Sequence, residues 1–139
     1  MQKYLGEDEM KMPMSEILDR YTITMLKSER TSEDVSEELK TYKEEIDNPR
    51  YDDKSTEIQS FINRLYEVNG QMWDAEGGIR SGVADALPLE EIGKIALKCR
   101  DINRARNGIK GEIVDIFSEG FKELKVNYTK VNYGGNEID

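Results

Sequence analysis

Two long stretches of this chain place one residue class at alternating intervals of four and three, and that spacing constrains the fold more than any other feature. The first seam reads Ile58, Ile62, Leu65, Asn69, Met72, Glu76, Ile79; the second reads Ile92, Ile95, Cys99, Ile102, Arg106, Ile109, Ile113, Ile116. A strand sends every second side chain to one face, whereas a helix of about 3.6 residues per turn collects this spacing into one stripe. The seams therefore predict one helix over about 55–80 and another over about 89–124. The link between them, SGVADALP, is short and contains Gly and Pro. Two helices joined so briefly must run antiparallel, with knobs packed into holes.

Upstream, Ser15 can cap a helix whose apolar face is Ile17, Leu18, Tyr21, Met25 and Leu26. After ERTS, with Thr31 or Ser32 as cap, Val35, Leu39, Tyr42 and Ile46 suit a second helix. DNPRYDDKS then breaks the chain at Asn48 and Pro49. The expectation is an all-α antiparallel helical hairpin or bundle of about four helices, the two long ones forming the core. Its domain spans 15–126, after a loose lead-in at 1–14 and before a tail at 127–139. KVNYTKVNYGG, which begins at Lys125 and runs into that tail, is a duplication too short to be an architectural repeat.

Composition narrows the chemistry. The 139 residues suffice for one core, and 35% of them are charged, as helices with one buried stripe each require. Without histidine and with Cys99 alone, the chain lacks histidine bases, cysteine-histidine pairs, disulfides and the usual zinc sites. No catalytic set, metal set or cofactor site is expected. A net charge of −9 argues against general nucleic-acid binding. No run approaches the ~18 apolar residues of a membrane span, and the start lacks signal-peptide order, so a cytoplasmic protein without membrane association is expected.

Charge is nonetheless unevenly placed. Residues 94–110 carry Lys94, Lys98, Arg100, Arg104, Arg106 and Lys110 against Asp101 alone. Within the seams, Asn69, Glu76 and Arg106 stand where hydrocarbon belongs, and a buried charge needs a partner. Glu76, on the facing helix, is the expected partner of Arg106, and Arg80, four residues on, could share it. Asn103 and Lys110 extend the polar strip by a turn on either side of Arg106. One reading makes these groups register-setting pairs. The other makes the strip a cleft in which Arg80, Arg106 and Lys110 hold phosphate or carboxylate oxygens. Trp73, beside Asn69 and Glu76, suits core packing or stacking on a base. Cys99 is expected to be inert core.

The phrases EILDRYTITMLKSER, VNGQMWDAEGGIR and INRARNGIKGEI, in this order, resemble an uncharacterised helical family of bacterial and phage proteins, a domain of unknown function. The resemblance covers roughly 15–115. It rests on Leu18, Asp19, Thr22, Lys27, Glu29 and Arg30, then Val68, Asn69, Trp73, Glu76, Ile79 and Arg80, then Asn103, Arg106, Lys110 and Ile113. Arg104 stands where that pattern has an acid, and Arg20 where it has a lysine. The resemblance implies a helical fold and brings Asp19 and Lys27 to the same strip from the first helix.

Three functions follow as expectations. The first is non-catalytic binding of a small anionic ligand, a nucleotide above all, through Asp19, Lys27, Asn69, Trp73, Glu76, Arg80, Asn103, Arg106 and Lys110. If the chain is phage-encoded, its task in the host cytoplasm would be that of a sponge sequestering a host immune signalling nucleotide, by analogy with viral proteins of that kind. The alternative is a magnesium-dependent nucleotide pyrophosphohydrolase of the all-α class. Its Glu-x-x-Asp half occurs at Glu16 and Asp19, Glu44 and Asp47, and Glu112 and Asp115, but its Glu-x-x-Glu half is missing. The third is a helical oligomerisation or interaction protein; homo-oligomers suit long seams under every reading.

Overall fold

In the computed structural model, residues 12–119 are described, and they form four α-helices with no strand among them. Helix α1 is Met14–Arg30, α2 is Ser36–Ile46, α3 is Ser55–Arg80 and α4 is Leu89–Phe117. The all-α architecture read from periodicity is the one observed. The lead-in through residue 11 and the KVNYTKVNYGG tail lie outside the described residues.

Helices α3 and α4 pack along each other in antiparallel fashion. Arg64 near the start of α3 meets Glu112 near the end of α4, while Glu76 and Arg80 share a cavity wall with Ala96 and Arg100. Helix α1 lies across both, and α2 packs on α1. Where three helices meet, the core is apolar: Met14, Leu18, Leu65 and Ile113 are wholly buried, with Ile58, Phe61, Ile62 and Ile109 around them. Each such side chain contributes about 1.5–3 kcal/mol by leaving water.

Beyond the reach of α1 the same seams lose their cover. Ile102, Ile109 and Ile113 are buried, Ile92 and Ile95 are half-buried, and Ile79 is exposed. A two-helix hairpin can bury only the inner part of each stripe, so the seam pattern alone overstates the core at this end.

Several boundaries differ from expectation for local reasons. Ser15 is not a cap but a buried residue inside α1; Pro13 precedes the helix, and the Glu119 side chain accepts from the Met14 N–H at 2.8 Å. A carboxylate 105 residues away thus satisfies a helix start that the sequence assigned to a neighbouring serine. Met14, assigned to the lead-in, is core. Thr31 closes α1, its hydroxyl donating to the Lys27 carbonyl, so α2 begins only at Ser36 after a turn held by Asp34. The DNPRYDDKS break is a 3-10 turn over Pro49–Lys54, started by Asn48, whose side chain accepts from the Arg50 N–H. It delivers Tyr51 to the core, edge-on to Phe117 at 5.5 Å. Between α3 and α4 the chain turns at Gly82, whose φ of 84° favours glycine. Helix α4 ends at Phe117 rather than near 124, with Ser118 in the left-handed conformation.

Candidate functional site

Asp19 organises the polar interior. It sits on the inward face of α1, one turn beyond Ser15 and beside Leu18, and its side chain is 2% exposed. Arg106 from α4 grips it with two donors, Nε to Oδ1 at 3.0 Å and Nη2 to Oδ2 at 2.5 Å. From α3, Asn69 Nδ2 donates to Asp19 Oδ1 at 3.0 Å and to Thr22 Oγ1 at 2.9 Å. Lys110 binds Glu16 at 2.8 Å and stands 3.9 Å from Asp19. Burial by itself would raise the Asp19 pKa. Hydrogen bonds from Arg106 and Asn69, with the charges of Arg106 and Lys110, outweigh it and hold the carboxyl below its ordinary range.

The expected pairing of Arg106 with Glu76 is therefore corrected: the partner is Asp19, on a third helix. Register explains it. With Arg64 opposite Glu112, Arg106 stands level with Asn69 and Gly70, leaving Glu76 six residues, about 9 Å, further along α3. Glu76 instead meets Arg80 at 3.4 Å, one turn away on its own helix.

Beside this knot lies a cavity of about 840 Å³ between α1, α3 and α4. Seven of the nine expected site residues line it: Lys27, Asn69, Trp73, Glu76, Arg80, Asn103 and Arg106. Asp19 and Lys110 do not. Asp19 lies behind Arg106, which covers it, and Lys110 is one turn further along α4, turned toward Glu16 on α1. Trp73 is a half-buried wall residue, with the Arg80 guanidinium 5.7 Å from its ring centroid. Cys99, expected in the core, is also a half-buried wall residue.

The wall also holds Thr31, Glu33 and Arg100, which sequence reasoning did not single out. Arg100 belongs to the basic island and follows the seam residue Cys99, a signal that could have placed it; Glu33 sits in a loop with no periodicity to mark its direction. The wall carries Lys27, Arg80, Arg100 and Arg106 against Glu33 and Glu76, with Ile23, Leu26 and Met72 supplying hydrocarbon. The Lys27 ammonium forms no ion pair among the described residues. Indole, hydrocarbon and a few converging polar groups are what a small-molecule site needs, and the volume lies within the usual range of about 300–1,000 Å³.

Four of the six carboxylates of the Glu-x-x-Asp pairs are engaged in ion pairs. Glu16 holds Lys110, Asp19 holds Arg106, Asp47 holds Lys43 at 2.8 Å and Glu112 holds Arg64 at 2.6 Å. Among the described residues no three acids or cysteines stand together as a candidate metal site. No helix among them is long and apolar enough to cross a membrane. The chain matches no family model, no curated protein and no solved structure.

Proposed function

We propose that this protein binds a small anionic molecule, a nucleotide, in the cavity between α1, α3 and α4, and performs no chemistry on it. One observation carries this reading: the cavity gathers Lys27, Arg80, Arg100 and Arg106 around a single indole in a chain whose overall charge is negative. Guanidinium and ammonium groups meet phosphate oxygens, and an indole face accepts a base. Arg106 contributes less charge than its position suggests, because Asp19 neutralises it, and Arg80 and Arg100 are paired at the surface with Glu76 and Asp101; Lys27 carries more of the attraction. A binder without chemistry acts by holding its ligand away from other receptors; if the chain is phage-encoded, sequestration of a signalling nucleotide in the host cytoplasm is the role that analogy with viral sponge proteins suggests.

Thermal-shift and calorimetric titration against common and cyclic nucleotides tests the proposal, since a ligand of the native state raises the melting temperature by mass action. Lys27→Ala is expected to weaken binding while leaving the fold intact. Absence of binding to every nucleotide in the panel would refute it. Release of pyrophosphate from nucleoside triphosphates with magnesium would instead favour the hydrolase.

A second reading, self-association, is favoured by the far end of the hairpin. Val83, Leu87, Leu89 and Leu97 are exposed there, with Ile79 beside them. The tip bears Asp85, Glu90 and Glu91, while α4 further along bears Lys98, Arg100 and Arg104. Two hairpins packed antiparallel about a two-fold axis bring the acidic tip of each to the basic stretch of the other and cover both apolar stripes. Light scattering should give a dimer mass, and Leu89→Glu with Leu97→Glu should yield monomers; a monomer before substitution would dispose of the idea.

A further inference from the structure

The wall of the cavity holds, on buried Asn69 and exposed Asn103, an acceptor and a donor that no hydrogen bond among the described residues uses. Thr22 Oγ1 donates its hydrogen to the Asp19 carbonyl at 2.8 Å, so toward Asn69 it can only accept. Asp19, as a carboxylate, also only accepts. The amide nitrogen of Asn69 must therefore be the atom facing both, which fixes the amide orientation by hydrogen-bond logic. Its Oδ1 is left without a hydrogen bond among the described residues, on a residue only 6% exposed that lines the cavity. Buried acceptors are ordinarily satisfied, so this one calls for a donor from an ordered water or a bound molecule. Asn103 supplies the complement: its Oδ1 accepts from Arg106 Nη1 at 3.3 Å, leaving its Nδ2 to donate.

Exposure rises outward from this point, where the charge of Arg106 is neutralised by Asp19. Trp73 lies one turn outward from Asn69, and Arg80 lies eleven residues outward, about 16 Å along α3. The Arg80 and Arg100 side chains, 57% and 51% exposed and paired with Glu76 and Asp101, mark the open end. A ligand matched to this gradient has a donor beside an acceptor at one end, a flat ring in the middle and an anion at the other.

We infer that the cavity takes an adenine nucleotide base-first, the exocyclic amine donating to Asn69 Oδ1, a ring nitrogen accepting from Asn103 Nδ2, the ring against Trp73 and the phosphate at Arg80 and Arg100. The inference rests on the nucleotide reading above and adds the base and its orientation. Adenine alternates an amine donor with ring-nitrogen acceptors, whereas hypoxanthine places an acceptor where that amine stands and so meets Asn69 Oδ1 with a repulsive pair.

Calorimetry with three 5′-monophosphates decides the base: adenosine, inosine and purine riboside, the last lacking the amine. Adenosine monophosphate is expected to bind roughly tenfold or more tightly than either of the others. Equal affinities would overturn the base assignment while leaving nucleotide binding standing. Binding of other nucleotides with none of adenosine monophosphate would do the same, and no binding by any nucleotide would end both. Orientation is decided by Arg100→Ala, which should reduce the affinity ratio of adenosine monophosphate to adenosine without changing that of adenosine monophosphate to purine riboside monophosphate. If the second ratio falls instead, the base lies at the outer end and the orientation is wrong.

Discussion

Replacing Arg106 by alanine tests whether the knot around Asp19 is structural. The substitution removes both donors from a carboxylate that is 2% exposed, leaving Asn69 and, at 3.9 Å, Lys110. Breaking one side of a buried ion pair costs about 3–5 kcal/mol. The two remaining partners place Arg106→Ala near the lower end, about 3 kcal/mol, a large part of the total of about 5–15 kcal/mol expected of a small domain. The effect must depend on pH. In the native protein the Asp19 carboxyl titrates below its ordinary range, so its contribution is full above the unfolded-state pKa of about 3.9 and is lost as pH falls through the lower native value. In the variant, burial is no longer outweighed, the carboxyl titrates above the unfolded value, and protonation relieves the penalty as the medium becomes acidic. Urea unfolding at about pH 7 and about pH 4.5 should therefore show a wide gap between the two proteins that narrows in acid. A loss under about 1 kcal/mol, as for an exposed pair, or a gap identical at both pH values, would refute the argument.

The Arg64 and Glu112 pair provides the contrast. Its geometry is bidentate, and the hydrogen bond from Arg64 holds the Glu112 carboxyl below its usual range, yet both side chains are well exposed. Arg64→Ala should cost no more than about 1 kcal/mol in urea unfolding, and added salt should shrink even that. Gly108 lies in the middle of α4 with no atom within 4 Å of where a Cβ would stand. Gly108→Ala should raise stability by about 0.5–1 kcal/mol; a drop in melting temperature would mean that something covers this face in solution.

Much of the architecture was legible because helical periodicity is a local property. Ile58, Ile62, Leu65, Ile102, Ile109 and Ile113 were picked out by spacing alone and are buried, as was the polar seam residue Asn69. The same spacing brought Asn69, Trp73, Glu76, Arg80, Asn103 and Arg106 to one strip, since residues three and four apart share a helix face whatever else the chain does. The resemblance added Lys27 from α1. Seam logic failed where burial depends on a third element: Ile79 and Ile116 fit the pattern and are exposed because no further helix among the described residues covers them.

The sequence by itself determined the helices, their apolar stripes and the presence of a charge that had to be neutralised. Only the tertiary structure decided which acid does so. Glu76 and Asp19 are equally good anions on paper, and the choice turns on the packing of α1 across the hairpin, which brings together residues 87 positions apart. Spacing along a chain specifies which side of a helix a group occupies; a few ångströms of register between helices specify what it touches, and hydrogen bonds and ion pairs weaken too steeply with distance for the first to stand in for the second.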